Sequence, residues 1–402
     1  MEEKAYLSIL AVSANIADKS RVEILREHSK EIANEILKRK EGVFIIVGVR
    51  GSGKTTILAE LLKYEKEPLF LNAEIVVRHG EQLLDLLHYA YAKGARSFLI
   101  DEAHIFPEWE KDIKIFFDET RTKIIISGSS AVSLKVKGSE LSRRATFFET
   151  MPLSFREYLS FKTGKLLPKV LIKDIIDMEK RRALEKSVIP FLNYFQPYLQ
   201  FDALPAAFFE KNKDVYINII ERTIRYDLLY LREIDASYVD NAFRLIKAVS
   251  TSSPGKLSYS GLSSSLGIGI KITKEIVNSL ARTGLIYTIA PHGSGKGAVR
   301  KEEKILMPLS FRSALCSYYG ISPLKGALRE DFFVQHVGHC DYLKTGVERR
   351  TPDFVVGDYI FEVGGPSKNY GQIKGMKNAF LVKEASFQSK EEIPIYLFGL
   401  LY

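Results

Sequence analysis

Three glycines, a lysine and a threonine lie close together near residue 50, in an order that can hold phosphate. Residues 48–55 fit the pattern G-x-x-x-x-G-K-[ST], with an apolar run at 43–47 and a helix-like run at 57–62. Glycine permits a tight turn that points backbone N–H groups at phosphate oxygens, and the positive end of the following helix attracts the same anion. We call residues 48–55 the P-loop. The residues predicted to contact ATP are Gly48, Arg50, Gly51, Ser52, Gly53, Lys54, Thr55 and Thr56.

Within the P-loop, Lys54 is expected to reach the β- and γ-phosphates and Thr55 to hold Mg²⁺. Two acids end the next buried-strand pattern, residues 97–102, as expected where a parallel strand delivers side chains to a phosphate site. Asp101 is predicted to hold Mg²⁺ through its water shell, and Glu102 to polarise the attacking water. An acid pair also occurs as a solvated strand end, but its position after a P-loop favours catalysis.

A third strand pattern, residues 123–130, ends in small hydroxyl residues. In such a sheet the central strand comes level with the γ-phosphate, so Ser127 or Ser129 could position the attacking water. Serines in this place also cap helices, and the sequence leaves both interpretations open.

A longer stretch, residues 141–159, contains Arg143 and Arg144 and then the octapeptide Pro-Leu-Ser-Phe-Arg-Glu-Tyr-Leu. Together with the P-loop, the Asp-Glu strand and the Ser-Gly-Ser-Ser strand end, this order resembles the prokaryotic AAA+ ATPase family whose P-loop domain precedes a C-terminal domain of unknown function. The resemblance covers about the first 160 residues well and the rest more loosely.

The resemblance implies an AAA+ core that hydrolyses ATP, with Arg144 as a γ-phosphate sensor and Arg143 beside it. Arginine pairs are also common on the surface of a basic protein. Whether either arginine acts in cis or in trans stays open at this point, as does assembly into a homo-oligomer.

Composition limits the remaining alternatives. A chain of 402 residues suggests two or three domains, and 46% hydrophobic residues favour a well-buried globular protein. Two cysteines, no signal-peptide pattern and no apolar run of bilayer length predict a cytoplasmic protein without membrane contact. The net charge of +9 permits binding to DNA without establishing it.

After the ATPase domain at 1–160, the sequence predicts a helical lid or connector at 161–238 and a winged helix-turn-helix at 239–309. The winged-helix layout is three helices and a β-hairpin, and basic and amide side chains there could meet phosphates and base edges of DNA. Winged helices also serve as protein-contact domains. The side chains expected to face DNA are Lys271, Lys274, Asn278, Arg282, Lys296, Arg300 and Lys301.

The last part, residues 310–402, is predicted to be a small α/β domain with the acid order of a PD-(D/E)xK nuclease. Glu330 on a helix, Asp353 on a strand and Glu362 on the next strand could hold Mg²⁺ against a scissile phosphate. That fold places a lysine two residues after the second-strand acid, where this chain has Gly364. Lys368 could substitute for it, but a degenerate nuclease fold is favoured.

The predicted fold class is therefore α/β: a P-loop NTPase parallel sheet, a helical connector, a winged helix and a small PD-(D/E)xK-like domain. The function favoured by the intact P-loop is an ATP-hydrolysing switch or motor that acts on DNA or on a protein client. The alternatives are an ATP-regulated nuclease and an ATP-binding scaffold without useful turnover.

Overall fold

A computed structural model describes residues 2–129, 140–230, 235–293, 302–343, 352–387 and 389–402. By their contacts the residues form two compact units. Unit 1 consists of Met1–Met151 and Tyr226–Glu233, and unit 2 consists of Pro152–Arg225 and Ile234–Tyr402. Across the described ranges, no helix is both long enough and apolar enough to cross a bilayer.

Unit 1 alternates helices and strands, the order typical of a parallel α/β sheet. Its helices are α1 (Glu3–Lys19), α2 (Glu27–Leu37), α3 (Lys54–Leu61), α4 (Ala73–Arg78), α5 (Leu83–Ala92) and α6 (Trp109–Thr120). Its strands are β1 (Gly42–Gly48), β2 (Pro68–Asn72), β3 (Ser97–Asp101), β4 (Lys123–Gly128) and β5 (Ala145–Thr150).

The five strands form one sheet in the order β2-β3-β4-β1-β5, and all four neighbouring pairs are parallel. Successive side chains of β1 pack into different cores: Val43 and Ile45 face one hydrophobic cluster, and Phe44 and Ile46 face the other. Both faces of the sheet are therefore covered, which explains the continuous apolar runs. The parallel sheet expected for a P-loop domain is confirmed, and its carboxyl edge carries the P-loop and Asp101.

Unit 2 is mainly helical up to residue 337 and then forms a second sheet. Its helices are α7 (Phe155–Thr163), α8 (Ile172–Ile176), α9 (Met178–Val188), α10 (Phe195–Pro197), α11 (Pro205–Glu210), α12 (Val215–Arg225), α13 (Ala236–Thr251), α14 (Tyr259–Leu266), α15 (Ile270–Arg282), α16 (Phe311–Tyr318) and α17 (Lys325–Val337). Its strands are β6 (Tyr287–Ile289), β7 (Lys304–Leu306), β8 (Phe354–Val356), β9 (Tyr359–Gly364), β10 (Ala379–Lys383) and β11 (Glu392–Pro394).

The C-terminal sheet has the order β11-β10-β9-β8, with β8 antiparallel to β9 and the other neighbours parallel. Helices α13, α14 and α15 precede the antiparallel pair β6–β7, as the sequence predicts for residues 239–309. That this set is a winged helix stays a prediction. Lys296, Arg300 and Lys301 lie outside the described residues.

The four-part division of the chain stays a prediction from the sequence. One hydrophobic cluster contains Phe155, Tyr198, Leu306 and Phe361, so the predicted connector, hairpin and C-terminal domain share a single core. By contacts, unit 1 gives way to unit 2 between Met151 and Pro152, and α7 buries Phe155 in the core of unit 2.

Candidate nucleotide site

The P-loop backbone needs its glycines where β1 ends and α3 begins. Gly48 has φ +156°, and a Cβ there would lie 2.1 Å from Thr150 Oγ1. Gly51 and Gly53 have φ of 79° and 96°, in the region that glycine adopts without a steric cost. Thr150 of β5 was not singled out from the sequence. Its Oγ1 lies 2.5 Å from Ser52 Oγ and donates to Val47 O, which fastens the loop to the sheet.

Lys54 is buried at the start of α3, and its ammonium contacts two neutral backbone carbonyls. Its Nζ donates to Gly48 O at 3.0 Å and to Val49 O at 3.2 Å. Burial lowers the pKa of the Lys54 ammonium, while the nearby carboxylates of Glu102 and Asp101 oppose that shift. The ammonium is therefore held inside the loop by backbone carbonyls, which a phosphate group can replace.

Thr55 and Asp101, the two predicted Mg²⁺ ligands, are in contact. Thr55 Oγ1 donates to both carboxylate oxygens of Asp101, at 3.1 and 3.2 Å. Burial and the neighbouring Glu102 raise the pKa of Asp101 to about 6. Hydroxyl and carboxylate oxygens that meet beside a phosphate loop are the hard donors that Mg²⁺ prefers, so these residues fit the ion.

Ser127 has a different contact from the one expected. Its Oγ donates to Asp101 Oδ1 and accepts the backbone N–H of Glu102 at 3.1 Å. The hydroxyl thus orients the two acids. The strand register explains this contact. Ile100 of β3 pairs with Ile126 of β4, so the next residues along the two strands, Asp101 and Ser127, lie side by side.

Glu102 lies immediately after β3 with a left-handed backbone, φ 57°. A residue other than glycine is rarely found there and costs about 1 kcal/mol or more, which is tolerated mainly at functional sites. Its carboxylate lies 3.4 Å from Arg50 Nη1 and 3.4 Å from His104 Nδ1. Burial lowers the pKa of His104, although Glu102 opposes that shift. His104 lies two residues after Glu102 in the sequence, and this spacing could have indicated that it is a neighbour of the Glu102 carboxylate.

Arg50 has a partner that no sequence pattern indicated. Its guanidinium binds Asp227 with two hydrogen bonds, Nη2 to Oδ1 at 2.7 Å and Nε to Oδ2 at 2.9 Å. Asp227 begins a short 3-10 turn, Asp227–Tyr230, in the second stretch of unit 1. Because 177 positions separate the pair, only the tertiary structure could reveal it.

Arg144 lies away from the P-loop of its own chain. It directly precedes β5, where Ala145 pairs with Val43 at the start of β1, whereas Thr150 pairs with Gly48 at the other end. The two ends of β5, Ala145 and Thr150, are roughly 16 Å apart along the strand. Its guanidinium instead binds Asp118 of α6, at 2.6 and 3.0 Å. A role for Arg144 in cis does not fit this geometry.

The C-terminal acids of unit 2 also meet basic side chains. Lys304 of β7 lies 2.6 Å from Glu330 Oε2 and 3.1 Å from Asp353 Oδ1. Lys368 lies 2.5 Å from Glu362 Oε1. A Cβ at Gly364 would lie 2.5 Å from Lys368 Cγ, so the absence of a side chain there makes room for the Lys368 stem.

The exposed face of α15 carries the four described residues that were predicted to face DNA: Lys271, Lys274, Asn278 and Arg282. Their spacing places them on one side of the helix, and the other side is buried in unit 2.

A match to one family model supports the nucleotide-binding assignment. Residues 40–159 match a family model described as an AAA domain. The match contains the P-loop, both acids of the β3 end, Ser127, Arg144 and Thr150, and it ends within α7.

Two uncharacterised proteins of Methanocaldococcus jannaschii are similar to the chain. The first is 29% identical over 341 residues, which cover 77% of this chain and 70% of the relative. The second is 23% identical, and the match covers 57% of this chain and 52% of the relative. An uncharacterised protein of Haemophilus influenzae is 28% identical over 157 residues, 36% of this chain and 39% of its own length.

One solved structure is a signal transduction ATPase with numerous domains, with a tetratricopeptide repeat sensor, from Pyrococcus horikoshii. It is 14% identical with a TM-score of 0.26, and the match covers 79% of this chain and 45% of that one. The family match and the site geometry lead to the same conclusion. Residues 40–159 form an AAA-type P-loop nucleotide-binding domain.

Proposed function

We propose that the chain is a Mg²⁺-dependent ATPase of the AAA+ type that acts as a switch or motor on DNA or on a protein partner. The observation that supports this best is the meeting of Lys54, Thr55, Asp101 and Glu102 at one edge of a parallel sheet. Each comes from a different motif position. Together they supply a cation that binds phosphate, two metal ligands and a base.

In this proposal the P-loop N–H groups and Lys54 bind the β- and γ-phosphates, and Thr55 and Asp101 hold the ion. Mg²⁺, when bound, neutralises charge on the phosphate oxygens. Glu102 orients the attacking water and accepts its proton, and Ser127 keeps both acids in place through its hydroxyl. Phosphate release from ATP, measured with and without Mg²⁺, tests the reaction. Absence of both ATP binding and turnover would refute it.

The partner is proposed to be DNA, bound through the exposed face of α15. Replacing Lys271, Lys274 and Arg282 together with alanine should weaken binding to duplex DNA and reduce its dependence on salt, because each lost phosphate contact lowers the salt slope by about 1. Lys374→Ala, at an exposed lysine in the turn that precedes β10, is the control. If DNA neither binds nor changes the ATPase rate, a protein client becomes the preferred partner.

For Arg144 we propose a role in trans, which requires a homo-oligomer. Its position at the amino edge of the sheet removes it from its own P-loop, and its guanidinium is preorganised by Asp118. Arg144→Ala should then lower turnover without weakening ATP binding, and mixing it with Lys54→Ala protein should restore activity. No restoration in the mixture would argue against an arginine shared between copies.

The nuclease alternative is less well supported. Lys304 and Lys368 already neutralise the acids that a divalent ion would need. We therefore propose a binding or structural role for the C-terminal domain.

A further inference from the structure

Arg50 and Asp227 form an ion pair inside the candidate nucleotide site. The two hydrogen bonds are parallel, which is the strongest arrangement between a guanidinium and a carboxylate. The Asp227 side chain is 1% exposed and that of Arg50 is 14% exposed, so water screens the pair little. Burial by itself would lower the pKa of Arg50, but Asp227 and Glu102 more than offset it and raise the pKa above its ordinary value.

Arg50 also reaches the carboxylate proposed to orient the attacking water. Its Nη1 lies 3.4 Å from Glu102 Oε1, while the other guanidinium nitrogens are bound to Asp227. If Glu102 faces the γ-phosphate, the Arg50 guanidinium is at the γ-phosphate end of the P-loop. A γ-phosphate would compete with both carboxylates for this cation, and ADP lacks that phosphate.

The segment that carries Asp227 has an unusual place in the chain. Residues 226–233 belong to unit 1, whereas the chain before residue 226 and after residue 233 belongs to unit 2. The Arg50–Asp227 pair therefore ties the P-loop to a segment that continues covalently into unit 2 at both ends. Breaking this ion pair would therefore release the segment from the P-loop, whatever partner unit 2 binds.

We propose that Asp227 is a positioning residue that holds Arg50 away from the γ-phosphate, and that ATP, unlike ADP, displaces Asp227 from Arg50. This inference rests on the proposed ATPase function and adds its regulation. The nucleotide state of the P-loop is then read by the 226–230 segment.

The decisive measurement is the affinity of the full chain for Mg²⁺ with AMP-PNP and for Mg²⁺ with ADP, by calorimetry. Asp227→Asn keeps the shape of the side chain and removes its charge. It should tighten AMP-PNP binding about tenfold, an ordinary coupling strength, and leave ADP binding within about twofold. The matched control is Glu65→Gln, which loses the buried ion pair with Lys123 at the start of β4 and should change neither affinity.

Arg50→Gln provides the complementary result. It should lose the preference for AMP-PNP over ADP, and the Arg50→Gln, Asp227→Asn double variant should bind like Arg50→Gln alone, because the two residues act through each other. Unchanged ratios in Asp227→Asn, or weaker AMP-PNP binding, would overturn the inference. Failure of the parent protein to bind AMP-PNP would instead overturn the proposed function.

A second readout uses the unaltered chain and so does not depend on any variant folding. Hydrogen exchange at residues 226–230 should become faster with AMP-PNP and stay unchanged with ADP, because only the former releases Asp227. Equal exchange in both nucleotides would contradict displacement of Asp227.

Discussion

The two units each bury a cluster of acids beside a lysine, but the lysines have different partners. In unit 1, Lys54 donates to the backbone carbonyls of Gly48 and Val49. In unit 2, Lys304 contacts the carboxylates of Glu330 and Asp353 directly. An ammonium on neutral carbonyls can transfer to an arriving phosphate, whereas one between two buried carboxylates is already their counter-ion.

The acids of the two clusters also differ in their partners. Thr55 and Ser127 hydroxyls surround Asp101, which leaves its charge available to a metal ion. Asp353 uses one oxygen for Lys304 and accepts the Val363 N–H at 3.0 Å with the other. The chemical partners of the acids therefore decide which cluster can take a divalent ion. The number of acids does not.

The largest expected effect is on nucleotide binding. Lys54→Ala removes the ammonium aimed at the β- and γ-phosphates and should weaken ATP binding by about a hundredfold or more, since hydrogen bonds to charged groups contribute about 1.5–3 kcal/mol each. Titration with a fluorescent ATP analogue measures it, with Lys63→Ala, an exposed lysine just after α3, as control. Unchanged affinity would show that Lys54 stays on its carbonyls when nucleotide binds.

Glu102→Gln separates binding from turnover. The amide keeps the shape and loses the basic carboxylate, so kcat should fall by about a hundredfold or more while ATP affinity stays within a few-fold. Steady-state phosphate release measures kcat, and Glu60→Gln on α3 is the control. Turnover close to that of the parent would assign the base to another residue.

In unit 2 the expected effect is on stability. The Lys304 side chain is 9% exposed, and Lys304→Met leaves two mostly buried acids without their cation, which should cost about 3–5 kcal/mol of unfolding free energy. Lys368→Met takes the cation from one acid, Glu362, whose side chain is 1% exposed, and should cost about 1–3 kcal/mol, less than the loss of the cation that two acids share. Urea denaturation compares the two. Equal losses would mean that Lys304 is not the main counter-ion of the cluster.

The pKa of Asp101 gives a smaller effect on Mg²⁺. Because burial raises this pKa to about 6, the carboxylate must lose its proton to bind the ion, and binding weakens as pH falls through 6. From pH 7.5 to 5.5 the ionised fraction falls about fourfold, and Mg²⁺-dependent ATP affinity should follow. Asp101→Asn should bind more weakly and lose this pH dependence. A flat profile in the parent would show that Asp101 stays ionised.

The smallest expected effect is DNA cleavage, for which we expect no appreciable rate with Mg²⁺ or Mn²⁺. Linear, supercoiled and single-stranded DNA, incubated with the full chain, test this, with Asp353→Ala and Glu362→Ala alongside. Cleavage that disappears in both variants would overturn the comparison between the two clusters and make Lys368 the catalytic lysine in place of the missing one at Gly364.

The P-loop, its flanking strand and helix, and the Asp101–Thr55 pair could be predicted from the sequence. Their chemistry depends on short local patterns, and neighbouring parallel strands bring those patterns to one edge. The helices and hairpin of residues 239–309 were also predictable, because apolar periodicity and turn residues specify them locally. The family resemblance supplied the AAA-type domain, which the match of residues 40–159 supports.

The remaining features were decided by long-range packing. Asp227 reaches Arg50 from 177 positions away, and Lys304 reaches Asp353 across 49. Arg144, only six residues before Thr150, ends up at the opposite edge of the sheet because a strand lies between them. Sequence spacing fixes what a residue can do locally, but charge pairing and strand register in the folded chain determine which distant group it meets.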